Sequence, residues 1–117
     1  MGYGSTDGLS QCTPTLDFLK KEGIELANFY TQSICTPARG ALLTGKYPIH
    51  TGTQHLHIHT ARPWGLPPEH KLLPEYLLRV TNYKNVAVGK WHLGYVTPAH
   101  TPRSRGFERF YGFYSGA

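Results

Sequence analysis

No stretch of this sequence is long and apolar enough to cross a membrane, because glycine, proline or charge breaks every hydrophobic run within a few residues. The opening Met1-Gly2-Tyr3-Gly4-Ser5 has neither a basic segment nor an apolar one behind it, so no signal peptide is visible either. Cysteine is scarce. Cys12 and Cys35 are the only two, enough for one disulfide in an oxidising compartment but not for a disulfide framework. Acidic residues are few, seven against twelve Lys and Arg, which leaves a formal net charge of +5. Such a surplus invites a nucleic-acid reading, yet it is not gathered into a patch. The densest pairs are Lys20-Lys21 and Arg103/Arg105, and without clustering no nucleic-acid partner is expected.

Thirteen glycines, nine prolines and 13% aromatic residues describe a loop-rich globular segment of 117 residues, enough for one modest domain. Residues 1–12 read as loop. Thr13-Pro14 is a good helix start, with Leu16, Leu19 and Lys20 at helical spacing and Gly23 as the stop, so a helix is expected over 14–22. Residues 24–30 alternate apolar and polar up to Ala27 and suit a half-buried strand leading towards Cys35. Residues 46–68 form a long ordered loop. Pro74 opens a short helix over 74–80, with Leu73, Leu77 and Leu78 on its apolar face and Asn82 as its left-handed end. Residues 85–89 suit a buried strand, and everything from Tyr95 onward reads as loop and packing surface. This order resembles one half of an open α/β sheet.

Chemistry concentrates at Cys35-Thr36-Pro37-Ala38-Arg39. Pro37 suits the first turn of a helix and Gly45 the residue past its end, so Cys35 would sit at a helix N-terminus, where free amides and the dipole favour an anion. Arg39, one turn on, can point at the same spot. Lys90 and His92, two residues apart at a strand end, would add a point charge and a proton relay. The residues alone support an anion-binding site with a candidate nucleophile. They are equally compatible with a buried thiol, an exposed arginine and an ordinary turn. His55, His57 and His59 would share one face of an extended backbone, a geometry that could hold zinc, but loop histidines beside an anionic site more often serve as hydrogen-bonding groups.

Cys35-Thr36-Pro37-Ala38-Arg39 with Leu43-Thr44-Gly45-Lys46 resembles the sulfatase signature, and Val88-Gly89-Lys90-Trp91-His92-Leu93-Gly94 resembles the second signature of the same family. Thr13–Asp17, Asn28–Gln32, His50–His55 and Arg105–Glu108 are similar to the arylsulfatase B-like branch. The resemblance implies an α/β, alkaline-phosphatase-like mixed sheet flanked by helices. It also implies sulfate-ester hydrolysis in a lysosomal or secreted protein. A generating enzyme of the endoplasmic reticulum would convert Cys35 to formylglycine, whose hydrate attacks sulfur with one hydroxyl and uses the second to expel sulfate. By the same match Arg39 steadies that diol, Lys90 binds substrate sulfate and diol oxygens, His92 handles the diol proton, and position 35 joins a calcium site.

Other features depart from the family pattern. The paired metal-binding aspartates of relatives fall upstream of the segment matching Met1-Gly2-Tyr3-Gly4, Asp7 does not replace them, and Asn82 stands where glycine is usual. No N-x-S/T sequon occurs. The expectation is therefore an N-terminal part of the catalytic domain over 1–117, incomplete, with its first strand clipped and its C-terminal half absent, and inactive alone. A non-catalytic binder of sulfated glycans through Arg39, Lys46 and Lys90, a phosphoester or phosphonate hydrolase, and a fragment without a stable fold are the alternatives.

Overall fold

The computed structural model describes residues 12–116, in two compact units that divide after Tyr30. The expected loop over 1–12 lies outside the described residues except for its last position. In the first unit, helix α1 (Pro14–Glu22) runs over the expected span. Pro14 starts it where a missing amide costs nothing, Asp17 lies in the first turn and Lys20 and Lys21 in the last, so the charges complement the helix dipole. Thr13 precedes it without a side-chain cap. The strand expected over 24–30 is absent: Ile24, Leu26 and Tyr30 are exposed and the segment turns at Ala27-Asn28. Alternation alone does not make a strand when no neighbouring strand takes its amides and carbonyls.

The second unit carries helix α2 (Cys35–Thr44), helix α3 (Leu73–Val80) and strands β1 (Val86–Lys90) and β2 (Arg109–Phe113). Short 3-10 turns at Pro48–His50, Pro98–His100 and Pro102–Arg105 punctuate its loops. The strands pair in parallel, from Val86 opposite Arg109 to Lys90 opposite Phe113. A parallel pair needs a long crossover, which residues 91–108 supply with turns in place of an α-helix. β2 occupies sequence read as loop, and β1 is not the buried strand expected: Val86, Val88 and Tyr111 are exposed on the two-stranded sheet. The end of α3 also differs. Thr81, extended, follows the helix and its hydroxyl donates to the Leu77 carbonyl, so Asn82 has no left-handed role.

The core comprises Leu66, Leu72, Trp91 and Leu93, flanked by Leu43, Phe107 and Phe110. Leu72, just ahead of α3, is the buried leucine, whereas Leu73 and Leu78 are exposed. Trp91 joins core to turn, its indole N–H donating to the carbonyls of Gly94 and His100 at 2.9 and 3.0 Å. Gly94 adopts φ 94°, and a Cβ there would run into Gly65, so the two segments meet only through glycine.

A buried polar hub closes this unit. Arg105, 2% exposed, donates from Nε to Glu75 at 3.2 Å and from its other nitrogens to the carbonyls of Leu66 and His70. Glu75, in the first turn of α3, also accepts the Leu72 amide at 2.8 Å and pairs with Lys71. Asn85 ties the Pro74 and Gly106 carbonyls together. Burial pushes the Glu75 carboxyl up, but the Leu72 amide, Arg105 and Lys71 outweigh it and hold the group below its usual range.

A carboxyl lowered by folding stabilises the protein above its unfolded pKa, and that stability is lost as pH falls through the lowered value. Thermal midpoints are therefore expected to fall on acidification below about pH 5, and Glu75→Gln should flatten that part of the profile. A profile unchanged by Glu75→Gln would remove Glu75 from the acid response. Arg105→Met leaves Glu75 without its buried partner and should cost about 3–5 kcal/mol in chemical unfolding.

Candidate active site

Helix α2 opens as the sequence leads one to expect. Ile34 is extended, the Ala38 amide reaches the Ile34 carbonyl at 3.0 Å, Pro37 occupies the first turn, and Gly45 closes the helix in the left-handed conformation with φ 67°. Cys35 is thus the first helical residue, though it follows an extended linker and not a strand. Both cysteines are free thiols, so they form no disulfide with each other.

The end of β1 comes to the same place. Lys90 Nζ lies 3.2 Å from Cys35 Sγ. The backbone of Trp91 and His92 continues the parallel ladder, with the Trp91 amide on the Phe113 carbonyl at 2.9 Å and the His92 amide on the Tyr114 carbonyl at 3.0 Å. At His92 the chain enters the left-handed region with φ 53°, a conformation that costs a residue with a Cβ about 1–2 kcal/mol and marks a special position. Thr36 meets this turn. Its hydroxyl donates to the His92 carbonyl at 2.9 Å and accepts the Ile58 amide at 3.0 Å, joining α2, the turn after β1 and the histidine-rich loop.

The His92 ring is buried, with Nε2 2.8 Å from the Ile58 carbonyl. A carbonyl only accepts, so Nε2 carries the proton and Nδ1 of the neutral ring offers a lone pair. Nδ1 is buried and has no hydrogen-bond partner. Burial lowers the His92 pKa; the Ile58 carbonyl raises it, while the charges of Lys90, His57 and Arg39 lower it further, so the neutral ring is favoured. Gly116 passes over this ring, and a Cβ there would stand 2.6 Å from His92 Cε1.

A cavity of about 380 Å³ is lined by Cys35, His57, His59, Lys90, His92 and Gly116, among others. Three of the four expected catalytic residues therefore converge. Arg39 does not line the cavity. Its Nε donates to the Trp91 carbonyl at 2.7 Å and its Nη2 to the Lys90 carbonyl, so the guanidinium clamps the end of β1 to α2. Burial lowers its pKa and the Cys35 charge opposes that shift. Lys46 is elsewhere, its ammonium 3.4 Å from His70 Nδ1.

Among the described residues no group of three or more His, Cys, Asp or Glu can hold a metal ion. His55, His57 and His59 do share a wall, with the His57 and His59 rings 4.5 Å apart at their centroids, but not as a zinc site. Nor do the described residues give position 35 the acidic companions that calcium needs. Sequence reasoning singled out His57 as a loop histidine beside the anion site, where it lines the cavity, but missed Thr36, Ile58 and Gly116. A threonine between Cys35 and Pro37 carries no pattern of its own, and a glycine in an aromatic tail is informative only once His92 lies beneath it.

The chain is similar to known proteins in both sequence and fold. A model of the Sulfatase family matches residues 2–117. The chain is 48% identical over 105 residues to Arylsulfatase J of Mus musculus, covering 90% of this chain and 17% of that protein. It is 39% identical over 111 residues to N-acetylgalactosamine-6-sulfatase of Homo sapiens, covering 88% of this chain and 21% of that protein. The crystal structure of Ps i-CgsB in complex with k-i-k-neocarrahexaose superposes with a TM-score of 0.63 at 41% identity, over 70% of this chain and 18% of that one. The chain thus spans about a fifth of the length of these relatives, and its helices and parallel strand pair are part of their alkaline-phosphatase-like α/β fold. The signature that begins at Cys35 and the one that ends at Gly94 meet in space through Arg39, Thr36 and Lys90, and, with the family model matching almost end to end, the chain belongs to the sulfatase family.

Proposed function

We propose that these residues form one side of the active site of a sulfuric ester hydrolase whose nucleophile is formylglycine made from Cys35. The observation that carries this reading is His92 Nδ1, a buried acceptor without a partner on a ring that lines the Cys35 cavity. Burying such a group unsatisfied costs about 1–3 kcal/mol, and a hydroxyl added at position 35 would give it a donor. One hydroxyl of an aldehyde hydrate at position 35 would attack sulfur and displace the alcohol, and deprotonation of the second would break the C–O bond to sulfate, releasing it as the aldehyde re-forms.

Each side chain then has a task. His92 accepts a proton at Nδ1 while Nε2 stays bonded to the Ile58 carbonyl. Lys90, 3.2 Å from the atom at position 35, binds the negative oxygens of the sulfate. The N-terminus of α2 adds free amides and partial positive charge. Arg39 positions Lys90 and His92 through the backbone carbonyls it holds. Calcium, the cation implied by the family resemblance, would need oxygen ligands from outside the described residues.

A sulfated saccharide is the substrate class best supported, since N-acetylgalactosamine-6-sulfatase is a relative and the solved relative holds k-i-k-neocarrahexaose. A lysosomal or secreted setting follows, because the Cys35 segment must meet the generating enzyme in the endoplasmic reticulum.

Coexpression with that enzyme should yield an aldehyde at position 35, captured by a hydrazide probe and lost in Cys35→Ala. No aldehyde at position 35 would overturn the formylglycine reading. The isolated 117-residue chain should hydrolyse an aryl sulfate little or not at all, for want of a cation site among the described residues. Brisk turnover by it would show that no such site is needed. In the polypeptide carrying the whole site, Lys90→Ala and His92→Ala should each lower kcat at least about a hundredfold, the scale of a lost acid–base group.

A further inference from the structure

Next to the nucleophile cavity lies a second one of about 240 Å³, and the His57–His59 segment lines both. That shared wall is fixed. Ile58 is buried, its amide on Thr36 and its carbonyl on His92, so the histidines on either side of it keep their places at the two openings. The far wall is built by Arg62 and Trp64, with Gly52 and His55 completing the space. Ala61, in the left-handed conformation with φ 64°, turns the chain here. The Arg62 amide bonds the His59 carbonyl at 3.1 Å and the Trp64 amide the Arg62 carbonyl at 2.8 Å, which gives the wall an ordered backbone.

The chemistry of this wall is specific. Arg62 has no ion-pair partner among the described residues, and its planar fork suits a sulfate or carboxylate. The Trp64 indole, 38% exposed, offers a flat apolar face beside that cation. A cation and an aromatic face together match an acidic sugar ring, which carries its anion at the edge and its C–H groups on the face. The volume is below the roughly 300–1,000 Å³ of pockets for drug-sized ligands, so it admits a single ring.

We propose that this second cavity is the subsite for the acidic sugar residue next to the one whose sulfate ester is cleaved. Arg62 pairs its anionic substituent and Trp64 covers its apolar face. The subsite rests on the sulfate-ester reading of the Cys35 cavity, and it makes Arg62 and Trp64 the residues that select a glycan over an isolated sulfated ring.

Binding to the chain tests this with three probes: inorganic sulfate, N-acetylgalactosamine 6-sulfate, and the disaccharide that joins that sugar to a uronic acid. Lys90→Ala should weaken all three. Arg62→Gln and Trp64→Ala should lower the affinity for the disaccharide at least tenfold relative to that for the monosaccharide, whereas Lys84→Gln, an exposed charge lining neither cavity, should leave this ratio unchanged. The disaccharide should also perturb tryptophan fluorescence through Trp64, since Trp91 is buried, and Trp64→Ala should remove that response. If the monosaccharide binds in a Lys90-dependent way while Arg62→Gln leaves the ratio unchanged, the subsite is overturned and the sulfate-ester reading stands. If neither sulfate nor the monosaccharide responds to Lys90→Ala, the sulfate-ester reading falls and the subsite with it.

Discussion

The hydroxyl of Thr36 holds the site together. It gives its proton to the His92 carbonyl and takes one from the Ile58 amide, so three segments far apart in sequence meet at one oxygen. Helix α2, the strand end and the histidine loop have few other direct ties, and Arg39 supplies two of them by gripping the carbonyls of Lys90 and Trp91. Because a buried hydroxyl without its partners would be expensive, the arrangement is close to all-or-none. These backbone ties bring Cys35 and Lys90 face to face, where the Lys90 ammonium donates to the Cys35 sulfur at 3.2 Å.

The same ties explain how His92 tolerates its conformation. A residue with a Cβ resists a positive φ, yet here the amide is on Tyr114, the carbonyl on Thr36 and the ring on Ile58, and together they outweigh the strain. What remains unpaid is Nδ1. Among the described residues it is the one buried side-chain nitrogen or oxygen left without a hydrogen-bond partner, and a lone pair so placed has the pattern of a site completed by a bound or added donor group.

Local signals were the legible part of the sequence. Pro14, Pro37 and Pro74 mark the starts of helices and Gly45 an end because proline and glycine act through their own backbone dihedrals, whatever the tertiary context. Of the strand pair, β1 was legible as the strand expected over residues 85–89, whereas its partner was not. Residues 24–30 alternate and form no strand, whereas residues 109–113, an aromatic run without clean alternation, form β2 because β1 lies alongside to pair with them. The convergence of Cys35, Lys90 and His92 was suggested by their places at element ends and strengthened by motif resemblance, but the position of Arg39 behind the strand end was not foreseen. Its side chain was expected to point at the anion, and the carbonyls that claim it are fixed by the path of the chain 51 and 52 residues away.

Charge gives this one-sided site its direction. Lys90 and Arg39 lie close to position 35, His92 is favoured as a neutral ring, and no acidic cluster stands among the described residues to balance them. Two cations with little compensation, partly shielded from water, repel each other and depress the protonation of the ring between them. An anion relieves all three costs at once: it screens Lys90 from Arg39, restores the solvation that burial removed, and lets the imidazole take a proton when the reaction delivers one. The cavity is therefore better suited to an anion than to emptiness, and under the function proposed above a proton taken up by His92 would be stabilised by that anion's negative charge.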